Sequence, residues 1–283
     1  MRIIRIIQII LIVIGAHLIA GLIIGPLCSN RPPELTAFPA DSAANTGVAV
    51  IVCPGGSYSW LDMETEGIGV AQWLQAQGIN AFVLKYNVAN ITAYMLGYRV
   101  LGIGNKYPNM LRDIEWALQQ VYAAADTMAI DTSRIGVMGF SAGGHLTMMS
   151  YTHNHTAYKP HFLCPMYPVV TFSDERYVHR RSRRAALGVW GQWNQTMRDS
   201  LSIERHITPD CPPVFLVNCT DDPVVRYQNS ELLDSALTAN RVTHTYMQYS
   251  TGGHGFGASD IKGTDESRQW KKAFEQWISS LNL

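Results

Sequence analysis

The chain has 283 residues with 22 basic and 22 acidic side chains, so it has no overall field that would attract nucleic acid or an anionic surface. Hydrophobic residues make up 47% of it, which is enough for a large core and excludes an intrinsically disordered chain. This length is typical of one α/β domain with a short extension.

The first 28 residues differ in composition from the rest of the chain. Arg2 and Arg5 accompany an apolar run that covers residues 3–24. Basic residues followed by an apolar segment are typical of a secretory signal, but about 20 apolar residues can also span a bilayer. We therefore predict that residues 1–28 are a cleaved signal peptide or a retained membrane anchor and that the rest is exported, to the periplasm, the cell surface or the medium. Cys28 also allows lipidation, which the large residues just before it disfavour.

Residues 29–46 are rich in proline, alanine and serine and are predicted to be a linker before a folded domain at 47–283. Within that domain, apolar runs alternate with helical periodicity. Such strands, apolar on both faces and separated by helices, predict an α/β fold with a mostly parallel sheet covered on both sides. The predicted strands are, in chain order, GVAVIVC, NAFVLKYNV, RIGVMGF, HFLCPMYPVV, PPVFLVNC and THTYMQY. The predicted helices are at 62–77, 108–125, AGGHLTMMS and 265–281.

One segment, residues 171–208, interrupts this alternation. It has no predicted strand and many polar side chains. We interpret it as an insertion over the edge of the sheet, either a cap or a surface excursion.

A serine among small residues follows the strand RIGVMGF. Ser141 lies in GFSAGG, between that strand and a predicted helix. Ligands bind at the carboxyl ends of parallel strands, and a sharp strand–serine–helix turn is typical of a nucleophile whose following amide faces a substrate oxygen. A helix-capping serine with packing glycines is the structural alternative.

A nucleophilic serine needs a base and an acid that orients the base. Asp221 and Asp222 follow the strand PPVFLVNC, and His254 follows the last strand on a glycine-rich loop. The chain order Ser, Asp, His, each after a strand, is that of the α/β-hydrolases. Asp222 is the preferred acid because it heads DPVV, which turns the loop back; Asp221 stays the alternative. His145, in the serine's own helix, is predicted to pack or to lie on the surface.

The oxyanion of an acyl-transfer reaction also needs hydrogen-bond donors. The turn CPGGSYSW follows the first predicted core strand. We predict that the amides of Gly56, Ser57 and Ala142 form the oxyanion hole, with an ordinary tight turn as the alternative. Neither Cys nor His has metal-ligand spacing, so we predict no metal site, and most cysteines are predicted to be free and buried.

The blocks PGGSY, GFSAGGHL, MYPVV, TDDPVV and GGHGFG in this order resemble the BD-FAE-like carbohydrate esterases, α/β-hydrolases related to acetyl xylan esterases, over about residues 45–280. The resemblance implies Ser141 as nucleophile, Asp222 as acid, His254 as base, and no cofactor. The chain differs from the family pattern at Ser57, where a third glycine is usual, and at Arg226, where proline is more frequent.

The predicted function is therefore a serine carboxylesterase that removes short acyl groups, with acetyl foremost, from saccharides. Its partner is an acylated saccharide or small ester. The alternatives are a prolyl-oligopeptidase-like serine peptidase and a non-catalytic, membrane-tethered carbohydrate-binding protein. A xylanase would need two facing carboxylates, and the sequence offers no convincing pair. The basic and aromatic run at 179–193 could contact polysaccharide through Trp190 and Trp193, although inward packing of both is the simpler interpretation.

Overall fold

A computed structural model describes residues 5–16, 31–89 and 106–281 of the chain. Its centre is a seven-stranded sheet in the order β1-β3-β2-β4-β5-β6-β7, in which β1 is antiparallel to β3 and every other pair is parallel. The strands are β1 (Glu34–Phe38), β2 (Ala49–Cys53), β3 (Asn80–Lys85), β4 (Ile135–Phe140), β5 (Phe162–Met166), β6 (Val214–Cys219) and β7 (His244–Tyr249).

Helices cover both faces of this sheet. The α-helices are α1 (Gly69–Ala76), α2 (Asn109–Ala124), α3 (Ala142–Thr152), α4 (Arg180–Gly191), α5 (Gln195–Ser200), α6 (Gln228–Ala239) and α7 (Trp270–Ser280). One turn of π-helix, Glu64–Ile68, leads into α1, and short 3₁₀ turns lie at Thr132–Arg134, Ile203–Arg205 and Ser267–Gln269.

The apolar residues of the strands divide alternately between two cores. Along β2, Ile51 belongs to the core under α2, α3 and α6, whereas Val50 and Val52 belong to the core under α1 and α7. Successive side chains of a strand point to opposite faces, so a strand that is buried on both sides must be apolar throughout. The mostly parallel sheet with helices on both faces is thus confirmed.

The predicted linker at 29–46 contains a strand that the sequence interpretation missed. β1 pairs with β3 along its whole length, from Glu34 opposite Lys85 to Phe38 opposite Ala81. It is an edge strand with mostly exposed side chains, so it lacks the continuous apolar run that marks the inner strands. Its pairing with β3 makes this segment part of the sheet rather than a linker.

The insertion at 171–208 connects β5 to β6, which are neighbouring inner strands of the sheet. It is helical, with α4, α5 and a 3₁₀ turn. Trp190 and Trp193, for which inward packing is the simpler interpretation of the sequence, are 81% and 69% exposed, so that interpretation is wrong.

The N-terminal apolar run lies only partly within the described residues. Residues 5–16 are helical and their large apolar side chains are exposed. Among the helices of the described residues, none has the length and hydropathy needed to cross a bilayer. Residues 17–30, which hold the rest of the run, lie outside the described part of the chain.

Candidate active site

Ser141 lies in the sharp turn that joins β4 to α3. Its backbone has φ 55° and ψ −117°, which is the left-handed region that side chains rarely adopt, so the turn stores strain. The Ser141 amide donates to the Met166 carbonyl on β5 at 2.9 Å, which fixes the turn to the neighbouring strand. A Cβ at Gly139 would lie 2.2 Å from the Gly143 carbonyl oxygen, so the first turn of α3 needs a glycine on β4 to pack this closely.

His254 lies on the loop that follows β7 and reaches Ser141 from above the sheet. Its Nε2 is 2.9 Å from Ser141 Oγ, and its Nδ1 is 2.5 Å from Asp222 Oδ2. An ionised carboxylate only accepts hydrogen bonds, so Nδ1 carries the proton and Nε2 accepts from the serine hydroxyl. Gly253 and Gly255, on either side of His254, both have positive φ.

Asp222 and Asp221 have different partners at the carboxyl end of β6. The side chain of Asp222 is 1% exposed, and its Oδ1 accepts from the amides of Val224 and Val225 at 2.8 and 2.9 Å. Asp221 instead accepts from the amides of Gly252 and Gly253 at 3.2 and 2.8 Å. The structure therefore brings Asp222, rather than Asp221, to the imidazole.

The three predicted oxyanion amides come from two segments. Gly56 and Ser57 lie in the turn after β2, with φ 135° and 57°, and Ala142 is the first residue of α3. Neither the Gly56 nor the Ser57 amide donates to another of the described residues. The first amides of a helix have no intrahelical partner, so Ala142 also has a donor to offer. A Cβ at Gly56 would lie 2.0 Å from the Trp60 carbonyl oxygen, which requires glycine in this turn.

A buried tyrosine–histidine hydrogen bond connects this turn to α3. Tyr58 donates its hydroxyl hydrogen to His145 Nδ1 at 2.8 Å, and His145 Nε2 lies 2.8 Å from the Leu201 carbonyl oxygen. Burial lowers the pKa of His145 to about 4, so the ring is neutral at neutral pH. The ring also stacks on Phe172. His145 packs in the interior, as one of its two predicted positions has it, and is not on the surface. Its link between the turn after β2 and the insertion was not predicted.

A buried glutamate, Glu66, also contacts the turn after β2. It is 3% exposed and accepts the amide hydrogen of Gly55 at 2.8 Å and the hydroxyl hydrogen of Tyr167 at 2.8 Å. The sequence does carry a signal for it. At helical spacing, Glu66 lies on the same face as Val70 and Leu74, where a charge interrupts an apolar stripe.

The start of the insertion lies beside the site. The Arg181 guanidinium carbon is 5.5 Å from the centroid of the Trp60 ring. Burial, together with the charges of His254 and Arg181, lowers the pKa of His179 to about 4. Residues 179–181 therefore lie near both the imidazole and the turn after β2.

Within residues 5–16, 31–89 and 106–281, no group of three or more His, Cys, Asp or Glu side chains is arranged to hold a metal ion. Four cysteines, Cys53, Cys164, Cys211 and Cys219, are buried free thiols; Cys28 is outside the described residues.

The chain is similar to known esterases. Residues 37–237 match the BD-FAE family model. An acetylxylan esterase of Xylanibacter ruminicola is 30% identical over 241 residues, which are 83% of this chain and 45% of that protein. An endo-1,4-beta-xylanase B of Butyrivibrio fibrisolvens is 30% identical over 219 residues, 73% of this chain and 32% of that protein. The chain thus spans less than half the length of these two relatives.

A solved structure matches over nearly the whole chain. The acetyl ester-xyloside bifunctional hydrolase from Caldicellulosiruptor lactoaceticus superposes with a TM-score of 0.75 at 30% identity and covers 88% of both chains. The predicted α/β-hydrolase fold is confirmed by this match and by the topology of the sheet.

Proposed function

This chain belongs to the BD-FAE family, and we propose that it is a carboxylic ester hydrolase. In this proposal it removes short acyl groups, acetyl foremost, from saccharides through an acyl-enzyme on Ser141. The observation that carries the mechanism is the unbroken hydrogen-bond chain from Ser141 Oγ through His254 to Asp222. The saccharide in this proposal comes from the names of the relatives, of which one is an acetylxylan esterase and another an acetyl ester-xyloside hydrolase.

In the first half of the reaction, Ser141 Oγ attacks the ester carbonyl carbon and His254 Nε2 takes the hydroxyl proton. Asp222 stabilises the imidazolium and holds the ring in the tautomer that leaves Nε2 free. The carbonyl oxygen becomes an oxyanion, which the amides of Gly56, Ser57 and Ala142 bind. Removal of a single donor of this kind typically lowers the rate about 10²- to 10³-fold.

Collapse of the tetrahedral intermediate then breaks the bond to the leaving alcohol. His254 returns its proton to the alcohol oxygen, and the acyl group stays on Ser141 as an ester. In the second half, His254 takes a proton from water, and the resulting hydroxide attacks the carbonyl carbon of the acyl-enzyme. The bond to Ser141 Oγ then breaks, His254 returns the proton to that oxygen, and the carboxylic acid leaves. Every proton in this cycle moves through Nε2, so the mechanism itself uses no metal or organic cofactor.

Export is a further part of the proposal. Arg2, Arg5 and the apolar run at 3–24 support a secretory signal or an anchor, and acylated polysaccharide is an extracellular substrate. Mass spectrometry of the protein recovered from an exporting host tests this. An intact N terminus in a soluble cytoplasmic fraction would contradict it.

The esterase proposal is tested with Ser141→Ala and with Ser150→Ala, a matched serine in the same helix that bonds only to the Thr147 carbonyl among the described residues. We expect Ser141→Ala to lower kcat on p-nitrophenyl acetate by at least about 10⁴-fold and to abolish labelling by a fluorophosphonate probe. Ser150→Ala should do neither. Undiminished turnover by Ser141→Ala would remove this residue from the mechanism.

The substrate class is tested on the wild-type enzyme. Acetylated xylan, feruloylated oligosaccharides, acetylated pectin and aminoacyl amides are offered in parallel, with release of acid or amine as the readout. We expect acetate release from xylan to be fastest. Cleavage of the amides without cleavage of acetyl esters would favour the peptidase alternative, and an unlabelled, inactive protein would favour the non-catalytic one.

A further inference from the structure

Glu66 is a buried charged group that the reaction just described does not use. It lies in the π-helical turn Glu64–Ile68 and both of its carboxylate oxygens are engaged: Oε2 accepts from the Gly55 amide and Oε1 from the Tyr167 hydroxyl, each at 2.8 Å. The Tyr167 oxygen itself accepts from the Gly257 amide at 3.0 Å. Its own hydrogen is therefore free to go to Glu66. Both oxygens of the Glu66 carboxyl group thus accept a hydrogen bond.

The partners of Glu66 belong to the two loops that carry the site. Gly55 directly precedes Gly56 and Ser57, whose amides are the oxyanion donors in the proposed function. Gly257 is three residues beyond His254 on the loop after β7. Through the Tyr167 hydroxyl, the Glu66 side chain thus connects the turn after β2 to the loop after β7.

Tyr167 extends this connection to the imidazole itself. Its ring centroid is 4.7 Å from that of His254, with the rings inclined at 58°, so the tyrosine both packs on the base and bonds to Glu66. Its backbone has a φ of 35°, in the left-handed region, and its amide donates to the Val217 carbonyl on β6 at 2.6 Å. Rotation of this ring is therefore restricted by the backbone and by two hydrogen bonds.

There is little room for Glu66 to move or to be replaced by water. A Cβ built at Gly55 would lie 2.5 Å from Glu66 Oε2 and 2.9 Å from Ser141 Cβ, so the carboxylate is packed against the same backbone that borders the nucleophile. Burial raises the pKa of Glu66, and the nearby charge of His254 and the bonds from Tyr167 and Gly55 oppose that rise.

We propose that Glu66 is a positioning residue for the ester hydrolysis proposed above: it holds the Gly55–Ser57 turn and the His254 loop in one mutual arrangement, so that the oxyanion donors and the base act on the same carbonyl group. The inference rests on that proposed function. It assigns Glu66 no contact with substrate.

Two variants and their combination test this. Glu66→Gln keeps the shape but replaces one acceptor oxygen by an NH2 group, so that either Gly55 or Tyr167 loses its acceptor. Tyr167→Phe keeps the ring on His254 and removes only the hydroxyl that joins Glu66 to Gly257. We expect kcat on p-nitrophenyl acetate to fall about 10²-fold in Glu66→Gln, which is the loss of rate that removal of one oxyanion donor typically causes. KM should change less than about 3-fold. In Tyr167→Phe we expect about 10-fold. The double variant should be no slower than Glu66→Gln, because both changes break one network.

Asp113→Asn is the matched control, since Asp113 is another buried carboxylate that accepts from a backbone amide, that of Asn87 at 2.6 Å. It should lower the urea midpoint of unfolding and leave kcat within about 2-fold. A merely structural role for Glu66 would give the same pattern in Glu66→Gln and would overturn the proposal. So would additive losses in the double variant.

Two outcomes separate this inference from the esterase proposal. A wild-type protein that neither turns over esters nor reacts with the fluorophosphonate overturns both. An active wild type, together with a folded Glu66→Gln whose kcat is unchanged, overturns the role of Glu66 alone. Should Glu66→Gln fail to fold, Tyr167→Phe decides: an unchanged kcat contradicts the proposal, and a kcat loss without a KM change supports it.

Discussion

Asp221 and Asp222 are consecutive residues whose carboxylates serve two different parts of the same loop. Asp222 bonds to the imidazole of His254, whereas Asp221 bonds to the backbone of Gly252 and Gly253 just before it. One carboxylate therefore orients the proposed base and the other holds the loop on which that base is carried.

This division predicts different costs for two matched substitutions. Asp222→Asn should lower kcat on p-nitrophenyl acetate about 10³- to 10⁴-fold, because an amide no longer fixes the tautomer or stabilises the imidazolium. Asp221→Asn keeps an acceptor oxygen for one of the two glycine amides, loses the acceptor of the other, and should cost less than about 10-fold. Steady-state kinetics of the two variants at neutral pH are the measurement. Equal losses would mean that the two carboxylates are not distinct in role.

The buried His145 predicts a loss of stability in mild acid. Its pKa is lowered from 6.5 to about 4 in the folded protein, so the unfolded chain binds a proton first as the pH falls. The contribution to stability is therefore complete above pH 6.5 and is lost as the pH falls toward 4. By linkage, this residue alone should cost about 2 kcal/mol of unfolding free energy between pH 7 and pH 5.

Urea unfolding of the wild type and of His145→Gln at these two pH values measures this effect. Glutamine can still accept from Tyr58 and donate to the Leu201 carbonyl, but it does not titrate. We expect the variant to lose about 2 kcal/mol less than the wild type over the same interval. Identical losses of unfolding free energy in the wild type and in His145→Gln would show that titration of the His145 imidazole does not cause the loss.

Trp60 is predicted to affect polysaccharide substrates selectively. It ends the turn that carries Gly56 and Ser57, and its ring lies next to Arg181 of the insertion. We expect the sugar of the proposed substrate to lie over this ring, because aromatic faces bind apolar faces through contact area. We expect Trp60→Ala to raise KM for acetylated xylo-oligosaccharides about 10-fold, whereas kcat/KM for p-nitrophenyl acetate stays within about 3-fold. A parallel loss on both substrates would place the effect in the turn itself.

Thiol titration tests two things: whether the four buried cysteines are protected from a disulfide reagent, and whether residues 1–28 have been removed. Burial raises the pKa of Cys211 and of Cys219 to about 12, and that of Cys53 and Cys164 further. Reaction with a disulfide reagent needs the thiolate, so none of the four should react at pH 8 in the folded protein. In urea, four thiols should react if residues 1–28 have been removed and five if Cys28 is retained. Fast reaction of any of the four in the folded state would contradict the burial.

The inner strands and the order of the three proposed catalytic residues could be predicted because each leaves a local mark. A strand buried on both faces, such as Val50–Val52 in β2, is a continuous apolar run. Ser141 follows such a run, and Ser141 and His254 each lie within a cluster of glycines. The edge strand Glu34–Phe38 leaves no such mark, since its side chains are mostly exposed and only one neighbour pairs with it.

The supporting residues could not be predicted for a different reason. Glu66 meets Gly55, Tyr167 and the Gly257 loop, and Tyr58 meets His145 and Leu201. Each set joins segments that are far apart in the chain. The local sequence pattern shows that an acidic residue, Glu66, interrupts an apolar stripe. It does not show the hydrogen-bond partners of Glu66, because these come from loops that follow three different strands.

The contact of Gly143 with the end of β2 has a consequence for the evolution of this enzyme. A Cβ at Gly143 would lie 2.0 Å from the Cys53 carbonyl oxygen, so main chain rests on main chain at the point where the nucleophile's helix meets the donor turn. A substitution at another position cannot change the spacing between these two backbone segments by altering the size of a side chain. We therefore expect the distance between the attacking oxygen and the proposed oxyanion donors to stay unchanged when residues of the insertion at 171–208 mutate.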